Sequence, residues 1–598
     1  MEFNLEQKAA IDTRKGYWAV QAGPGSGKTA VLIARYQALI NEGIKPQDIL
    51  CLTFTDKASR EMRQRAGAEA LKEHAKHERP SGFRTFHSLA LAFADLEREH
   101  WTHPLADMPL APPAFTMKIL SKLAKHYGLP NYKPLANWIS EQKRHGIRPD
   151  QILAMDVDRY RLKEAYALYQ KSLADKGLLD FDDLILEMRK LLSNHQDILK
   201  RWSYRYISVD EFQDTDRQQF EVVKLLAQKH GNLFVVGDYN QNIFEWRGSD
   251  PSLLANFIKL FPTGKVLYLA NNYRSSEEIV EIVRKLAPCP GELSEKFCSQ
   301  NGHGPQPTIM GYPSPHDEAL AVVKNYLANA PKSAAILSRT NLGLRPFEEM
   351  CAQENVKYFL LGGSGFWSQG EVRQVMAFVQ CIEFPNIGAI QTAIRSPYEP
   401  VRYIKKMETI RRLKAAFDKN TSVHGLLMGL WPDHWQQNEL MYGLSRYLLS
   451  LSDYKQSPPD IVIASILQDL RAEEYHEEND IPEIDNSPLD NLRELVKIAH
   501  RFNSVKEFLA YARRCANNTR TKSGLALGTV HSAKGLQFGT VYATGVNEGM
   551  FPHEKSDNID EEKRILFVMV SRPQQYLHIS YSGPISRFLV NKFSQGAL

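Results

Sequence analysis

One segment near the start of the chain constrains the fold more than any other. Residues 22–29 have the sequence Ala-Gly-Pro-Gly-Ser-Gly-Lys-Thr, and an apolar run at 17–20 precedes them. Apolar residues at helical spacing follow, namely Leu32, Tyr36, Leu39 and Ile40. This order predicts a strand, a glycine-rich turn and a helix, in which backbone N–H groups and the positive end of the helix surround a triphosphate.

The residues of this turn have separate predicted roles. Lys28 would reach the outer phosphates, and the Thr29 hydroxyl would be a ligand of Mg²⁺. The remaining cradle is formed by Ala22, Gly23, Gly25, Ser26 and Gly27. A surface turn without a ligand is the alternative, so the prediction needs a second half of the site.

Acidic residues after a later strand supply that second half. The apolar run 206–209 predicts a buried strand, and Asp210-Glu211-Phe212-Gln213-Asp214 follows it directly. Open α/β sheets bind ligands at the carboxyl ends of their strands, where these carboxylates would lie. Two such patterns in one chain make coincidence a poor explanation.

Two further loops follow predicted strands. The loop 237–248 holds a polar group suited to sensing a phosphate, two aromatic rings and a fixed cation. These residues are Gln241, Phe244, Trp246 and Arg247. After the strand predicted at 266–269, Arg274 is placed to act on a γ-phosphate as an arginine finger.

Composition indicates a globular protein with several domains. The 598 residues exceed what one hydrophobic core supports, and the hydrophobic (43%) and charged (24%) fractions are ordinary. No stretch is long and apolar enough for a membrane span, and the polar N-terminus lacks a signal-peptide core, so we expect a cytoplasmic location and no membrane partner. The net charge of +5 permits nucleic-acid binding without requiring it. Six scattered cysteines, with no zinc-ligand or redox spacing, are expected to be free buried thiols.

Strand and helix patterns alternate in two separate parts of the chain, each interrupted by a mainly helical stretch. We therefore predict an α/β protein with two cores and two insertions. Thr53-Phe54-Thr55 ends one strand beside a basic helix, and Phe54 is either core or a base-stacking ring. In the first insertion, the acids between Asp180 and Asp183 predict a helix N-cap, with a metal site as the less favoured alternative.

The second insertion contains two opposed charge features. Residues 402–419 form a basic stretch, which either approaches nucleic-acid phosphates or is a solvated face. Residues 473–490 form an acidic stretch, which is either a solvated loop or a contact for a partner.

Taken in order, these motifs resemble those of the superfamily 1A DNA helicases of the UvrD/Rep/PcrA type, over nearly the whole chain. The matching segments are Asn4 with Gln7, 22–29, 53–62, 85–89, 210–214, 237–248, 272–275, 362–372, 529–538 and 561–572. The resemblance implies two RecA-like motor domains with parallel sheets, 1A and 2A, and mainly helical insertions, 1B and 2B. The implied limits are 1–87 and 199–276 for 1A, 88–198 for 1B, 277–372 and 516–598 for 2A, and 373–515 for 2B.

The resemblance also implies how ATP and Mg²⁺ are bound. Gln7 would contact the adenine edge and Tyr273 would stack on the ring. Thr29 and Asp210 would hold Mg²⁺. Gln537 would lie near the ribose, where the family usually has a glutamate.

For hydrolysis, Glu211 would position and deprotonate the attacking water, and Gln241 would sense the γ-phosphate. Arg274 and Arg572 would neutralise the developing charge from the two sides of a cleft between the cores. Closure of that cleft would then complete the site and couple ATP to movement.

The implied activity is movement 3′ to 5′ on single-stranded DNA and unwinding of 3′-tailed duplex, in repair, replication or recombination. The implied DNA contacts are Phe54, His87, Phe244, Trp246 and His531. Protein partners bound through 2B are a further expectation.

Several positions depart from the family pattern. Ala30 replaces an arginine that often stacks on adenine, and residues 395–400 stand near the place of the usual duplex-contacting turn of 2B. The short segment after the last motif leaves no room for a fused nuclease domain.

Three alternatives to an autonomous DNA helicase stay open. One is a translocase that displaces proteins from single strands without robust unwinding. Another is a motor or scaffold subunit of a repair or defence complex. The third is an RNA-directed motor, because stacking and phosphate contacts serve either nucleic acid.

Overall fold

A computed structural model describes residues 2–590, apart from 68–78, 102–104, 108, 130–131, 154–155, 289–290, 363–364, 384–385, 417–422, 480–486 and 519–522. The chain divides into two units. The first unit comprises Met1–Thr308, Ser556–Leu577 and Ser586–Leu598, and the second comprises Ile309–Lys555 and His578–Ile585.

The first unit is built on a six-stranded sheet in which every pair of neighbouring strands is parallel. In chain order the strands are β1 Gly16–Ala22, β2 Ile49–Thr53, β3 Gly82–Thr85, β4 Tyr206–Val209, β5 Asn232–Gly237 and β6 Lys265–Leu269. Their order in the sheet is β3-β2-β4-β5-β1-β6. Strands β2 and β4 are buried along their whole length, as apolar runs in a parallel sheet covered on both faces should be.

The register of this sheet brings the ends of its central strands together. Gln21 of β1 pairs with Gly237 of β5, and Ala22 of β1 pairs with Leu269 of β6. Because the strands are parallel, the loops that follow β1, β4, β5 and β6 all leave from one edge. These are the loops that carry the predicted nucleotide-binding residues.

Two hydrophobic clusters cover the faces of the first sheet. The helices around the sheet are Leu5–Ile11, Lys28–Asn41, Asp56–Arg65, Phe86–Leu96, Arg217–Ala227, Ser252–Ala255, Phe257–Leu260, Glu277–Leu286, Glu292–Lys296, Ile559–Val570 and Arg587–Val590. The helices inserted between β3 and β4 are Pro113–His126, Tyr132–Arg144, Val157–Ala174, Phe181–Asn194 and Gln196–Trp202. A short parallel ribbon joins β7 Asn271–Asn272 to β8 Cys298–Ser299.

The second sheet also has six strands, in the order β11-β12-β10-β13-β14-β9. They are β9 Thr308–Tyr312, β10 Ala334–Ser338, β11 Tyr358–Leu360, β12 Leu525–Thr529, β13 Phe538–Ala543 and β14 Pro573–Ser582. Strands β10 to β13 pair in parallel. Helices Pro315–Asn329 and Arg345–Gln353 contribute to a cluster that packs on this sheet.

The helices inserted between β11 and β12 share a core of their own. They are Gly370–Glu383, Ile387–Arg395, Lys406–Ala416, Val423–Met428, Trp435–Ser450, Pro459–Asp469, Ala472–Asn479, Pro488–Ala499 and Val505–Asn518. After β12 comes the short helix Val530–Ala533. The predicted fold class, two parallel α/β cores with mainly helical insertions, is confirmed. The exact limits of the four domains stay a prediction, and the structure groups Ser556–Leu577 with the first unit.

The remaining helical segments are short 3₁₀ turns. They are Pro46–Asp48, Arg98–His100, Pro149–Gln151, Phe212–Asp214, Tyr239–Gln241, Glu245–Arg247, Leu342–Leu344, Phe366–Ser368 and Leu451–Gln456. Three of them lie in the loops that follow β4 and β5.

Two simpler expectations are also answered by the structure. None of the described helices has the length and apolar character needed to cross a membrane. The five described cysteines are free, and four are buried, but Cys298 is half-buried because it lies on the short β8 strand near the surface. Cys289 lies outside the described residues.

A buried ion cluster organises the first insertion. Asp180 and Asp183 form the capping box of helix Phe181–Asn194, as predicted. The Lys143 ammonium, which has no solvent exposure, lies 2.6 Å from Asp180 and 2.7 Å from Asp183. Burial lowers the pKa of Lys143, but the two carboxylates together raise it above its usual value. The cation between these carboxylates is therefore the Lys143 ammonium, at the position where the less favoured interpretation of the sequence placed a metal ion.

We expect Lys143→Met to reduce the free energy of unfolding by about 3–5 kcal/mol, because it leaves two buried carboxylates without their cation. Urea unfolding of the full chain, followed by circular dichroism, measures the effect. The control is Lys190→Met, which removes a partly exposed pair with Glu187 and should cost at most about 1 kcal/mol. Equal shifts for the two variants would contradict a stabilising role for the buried cluster.

Candidate active site

The glycine-rich turn after β1 has the backbone of a phosphate cradle. Gly25 and Gly27 have φ angles of 72° and 84°, which side chains other than glycine rarely adopt. A Cβ at Gly25 would lie 2.7 Å from Cβ of Arg274, and a Cβ at Gly23 would overlap the ring of Phe297. Glycine is therefore required here both by conformation and by close approach.

Lys28 begins the helix Lys28–Asn41, whose N-cap is Gly27. Because Gly27 has no side chain, no capping group accepts hydrogen bonds from the backbone N–H groups of the first helical turn. These N–H groups face the glycine-rich turn and can donate to an anion. The buried Lys28 ammonium lies 3.3 Å from the carbonyl oxygen of Ala22 and 3.4 Å from that of Gly23. A triphosphate in this turn would meet the lysine and the helix N-terminus together.

Thr29 and Asp210 meet beside the turn. Thr29 Oγ1 donates to Asp210 Oδ2 at 3.2 Å, across the ends of β1 and β4. Burial, with the neighbouring Glu211 carboxylate, raises the pKa of Asp210. A hydroxyl and a carboxylate are oxygen ligands of the kind Mg²⁺ prefers, and a divalent cation would favour the ionised form of Asp210. This pair fits the predicted metal site.

Glu211 has an unusual backbone conformation, with a φ of 49° in the left-handed region. Such strain in a non-glycine residue is common at functional sites. Its carboxylate accepts a hydrogen bond of 2.7 Å from Gln213 Nε2. Gln213 is fully buried, so its amide holds the Glu211 side chain in one position.

A chain of hydrogen bonds continues from Gln213. Its Oε1 accepts from the backbone N–H of Asp238 at 3.0 Å, and Asp238 Oδ2 accepts from Gln241 Nε2 at 2.5 Å. Gln241 Oε1 in turn accepts from Arg572 at 3.3 Å. The structure therefore links the predicted base, the predicted phosphate sensor and one predicted arginine finger.

The two predicted arginine fingers lie close together in the first unit. Arg274 donates to the backbone carbonyl of Ser571 at 2.9 Å, and Arg572 donates to Ser571 Oγ at 2.7 Å. Burial lowers the pKa of Arg274 to about 10. Burial and the charge of Arg274 lower the pKa of Arg572 to about 9. Two buried cations side by side favour an anionic ligand.

Asn272 connects these arginines to the phosphate turn. Its Nδ2 donates to the carbonyl of Pro24 at 2.7 Å, and its Oδ1 accepts from the N–H groups of Arg274 and Ser275. Sequence reasoning assigned no role to Gln213, Asp238 or Asn272. Their position within acidic and arginine motifs was the available signal, but the bonds that join Gln213 to Asp238 and Asn272 to Pro24 connect residues far apart in the sequence.

The predicted adenine-binding residues also lie at the turn. Gln7 Nε2 donates to the carbonyl of Ser26 at 3.0 Å, and the N–H of Tyr273 donates to the carbonyl of Gly25 at 2.9 Å. Asn4 Nδ2 donates to the Tyr273 hydroxyl at 2.8 Å. The Tyr273 ring is exposed and free to stack, while the predicted base contact by Gln7 stays a prediction.

A cavity of about 680 Å³ lies on the same unit. It is lined by the four DNA-contact residues predicted within this unit, Phe54, His87, Phe244 and Trp246. The rings of Phe54 and Phe244 are nearly parallel, with centroids 5.6 Å apart. The Arg247 guanidinium lies 4.6 Å from the ring centroid of Trp246. The sequence left two roles open for Phe54, a core residue or a base-stacking ring. The structure places it in the lining of a cavity.

The helical insertion forms part of the cavity wall. Phe181, at the start of helix Phe181–Asn194, is exposed and lies edge-on to His87 at 5.4 Å. Sequence reasoning considered this segment as a helix cap or, less favoured, as a metal site, and missed the ring. An aromatic residue among capping acids was the signal that could have identified it.

The loop 238–248 connects the nucleotide turn to this cavity. It carries Gln241 towards the nucleotide and Phe244 with Trp246 towards the cavity. Arg564 anchors the loop from helix Ile559–Val570, donating at 2.8 Å to the carbonyl of Asn242 and at 2.5 Å to Glu245. The loop 238–248 therefore contributes side chains both to the nucleotide turn and to the cavity.

Two predicted residues belong to the second unit. His531 lies in the short helix after β12, and Gln537 is exposed in the turn before β13. Their predicted contacts with DNA and with ribose stay predictions.

The two RecA-like cores and the phosphate turn with its acidic partner define a P-loop nucleoside triphosphatase of the motor class. The family model for the UvrD/REP helicase N-terminal domain matches residues 3–262, and the model for the UvrD-like helicase C-terminal domain matches residues 267–583, more than half of the chain. The chain therefore belongs to the UvrD-like helicase family, whose members are DNA-dependent ATPases and DNA helicases.

Curated relatives agree with this assignment. The chain is 29% identical to the ATP-dependent DNA helicase PcrA of Leuconostoc citreum, over 99% of this chain and 82% of the relative. It is 29% identical to the ATP-dependent DNA helicase Rep of Escherichia coli K12, over 96% of this chain and 90% of the relative. The predicted family and enzyme class are confirmed, while the roles of individual residues stay predictions.

We expect Gln213→Leu to lower the turnover number for ATP by about 10- to 100-fold, because Glu211 loses a charge-assisted hydrogen bond. The KM for ATP should change little, since Gln213 does not line the phosphate turn. Steady-state ATPase assays with saturating single-stranded DNA measure both constants. Gln228→Ala, at an exposed helix end, is the control, and an equal effect in both variants would exclude a specific role for Gln213.

Proposed function

We propose that the protein is an ATP-driven motor that moves 3′ to 5′ along single-stranded DNA and unwinds duplex DNA with a 3′ tail. The observation that carries this proposal is the cavity lined by Phe54, His87, Phe244 and Trp246, joined to the nucleotide turn by the loop 238–248. Family membership supports DNA as the substrate. The relatives PcrA and Rep are both named as ATP-dependent DNA helicases.

In the proposed site, Lys28 and the first turn of its helix bind the outer phosphates. Thr29 and Asp210 would hold Mg²⁺, which neutralises charge on the phosphate oxygens when bound. Glu211, positioned by Gln213, accepts the proton of the attacking water. The hydrogen bond between Thr29 and Asp210 supports the metal assignment.

Charge that develops on the transferred phosphoryl group is met by Arg274 and Arg572. Such arginines contribute about 10³ to 10⁵ in rate in related chemistry. Loss of the γ-phosphate would remove an anion from beside two buried cations, and Arg572 is bonded to Gln241. Hydrolysis would thereby be transmitted to the loop that carries Phe244 and Trp246.

Binding of DNA by stacking explains how a motor passes any sequence. Each base stacked on an aromatic ring contributes about 1–3 kcal/mol, whatever the base. Arg247, close to the rings of Phe244 and Trp246, adds a cation for the phosphates or the bases. We place the activity in DNA repair, replication or recombination, in the cytoplasm.

A translocase without strand separation is the second candidate. It is favoured by residues 395–400, at the place where a duplex-contacting turn is expected, because the Tyr398 side chain points inward and bonds His476 at 2.8 Å. In this function the same motor would displace proteins from single strands, alone or as a subunit of a complex.

Glu211→Gln should reduce DNA-stimulated ATP hydrolysis by at least about 10²-fold, because the water loses its base. Lys28→Ala should remove turnover and weaken nucleotide binding. Phosphate release with and without single-stranded DNA measures both effects. Glu221→Gln, which changes a partly exposed carboxylate on helix Arg217–Ala227, should match the unchanged protein. DNA-independent turnover that survives both site variants would falsify the proposed motor.

In a strand-displacement assay with ATP, we expect unwinding of a 3′-tailed duplex and none of a 5′-tailed or blunt duplex. The expected polarity is the one that the family resemblance implies, and the tail provides single strand for the aromatic cavity. Movement along single strands without displacement would favour the translocase. Matched RNA substrates that stimulate ATP hydrolysis as well as DNA does would contradict DNA specificity.

A further inference from the structure

One surface of the second insertion displays large apolar side chains among cations. Tyr403, Met407 and Trp435 are 66%, 78% and 72% exposed. Arg402 and Lys405 are exposed beside Tyr403 in the same short segment. Large apolar side chains grouped at a surface usually mark a binding site. This surface lies outside the motor cavity, and all of these residues except Trp435 belong to the basic stretch 402–419.

The backbone of this segment is held in place. Val401 and Ile404, on either side of Tyr403, are buried in the core of the insertion. The Gln437 side chain bridges the segment, accepting from the N–H of Lys405 at 2.8 Å and donating to the carbonyl of Tyr403 at 3.3 Å. The buried side chains of Val401 and Ile404 and the hydrogen bonds of Gln437 therefore hold the backbone in a position that exposes the Tyr403 ring.

A contact of Lys405 places the start of helix Trp435–Ser450 beside the segment. Lys405 Nζ lies 3.1 Å from His434 Nε2, and His434 is the N-cap of helix Trp435–Ser450, which Trp435 begins. Lys405 also lies over the buried ring of Trp431, at 5.5 Å from its centroid. Rings and cations therefore come from two chain segments that meet at Lys405.

The positive charge extends along the neighbouring helix Lys406–Ala416. Met407, Arg411 and Lys414 are spaced i, i+4 and i+7 and share one face. Glu408 is on the same helix, and its carboxylate pairs with Arg412 at 2.8 Å and more distantly with Arg411 at 4.0 Å. Lys419, the last residue of the predicted basic stretch, lies outside the described residues. The described face presents cations with an apolar residue at its start.

We propose that Arg402, Tyr403, Lys405, Met407 and Trp435, here called the 2B aromatic surface, bind single-stranded nucleic acid. Cations interleaved with exposed rings contact phosphates and unpaired bases at once. A duplex hides the faces of its bases, so the rings favour a single strand over a duplex. The proposal deepens the proposed function, since it gives the motor a second contact with the strand on which it moves.

The test compares the full-length protein with Tyr403→Ala/Trp435→Ala in binding a labelled oligothymidylate of about 15 nucleotides, followed by fluorescence anisotropy without ATP. We expect affinity to fall about tenfold or more, the loss expected from one or two stacked bases. Maximal ATP turnover at saturating DNA should not change, because both rings lie outside the motor cavity. Lys405→Glu should weaken binding and reduce its dependence on salt.

Two further variants separate this proposal from the proposed function. Phe244→Ala/Trp246→Ala should lower DNA-stimulated turnover, and combining it with Tyr403→Ala/Trp435→Ala should weaken binding further than either pair. The control for an exposed ring is Tyr160→Ala, on a helix of the first insertion, which should bind as the unchanged protein does. If turnover never responds to DNA, the proposed function fails, while the anisotropy result still decides the 2B aromatic surface.

Unchanged affinity for single strands in Tyr403→Ala/Trp435→Ala would overturn the proposal. A loss confined to a blunt duplex would assign the surface to duplex DNA and would also overturn it. If the affinity for nucleic acid were unchanged and binding to a purified protein partner were lost, the 2B aromatic surface would instead be a protein-binding site. Equal loss for a matched RNA strand and for DNA would support single-stranded nucleic acid as the ligand class.

Discussion

The hydrogen bonds from Glu211 through Gln213, Asp238 and Gln241 to Arg572 are the interaction on which the rest of the site depends. They cross from the end of β4 to the end of β5 and then to Arg572, two residues after helix Ile559–Val570. Gln213, Asp238, Gln241 and Arg572 are buried, so leaving one of these groups without its partner costs about 1–3 kcal/mol. The network therefore holds predicted catalytic groups from three segments in one arrangement.

The parallel sheet makes this arrangement possible. Strands β1, β4, β5 and β6 end at the same edge, so a lysine, a carboxylate pair, an amide and an arginine are delivered to one place from distant parts of the chain. The loop after β5 extends further and also supplies Phe244 and Trp246 to the cavity. In the proposed function, a change at the nucleotide would reach the DNA through this single loop.

The two insertions have different relations to their cores. The first supplies Phe181 and the Lys143 ion cluster to the cavity wall. The second has a core of its own, and it displays Tyr403 and Trp435 on a basic surface. Helical insertions of this kind add contacts to the two α/β cores without altering the strands whose ends carry the site.

Much of this protein was predictable from local sequence. The turn around Lys28, the acids after β4 and the alternation of strands and helices are short-range patterns, since glycine conformation, hydrophobic periodicity and strand-end chemistry act over a few residues. Only the tertiary structure decided that Gln213 positions Glu211, that Arg274 and Arg572 lie together, and that Phe181 faces His87. These contacts join residues far apart in the chain or depend on side-chain burial, and neither follows from spacing along the sequence.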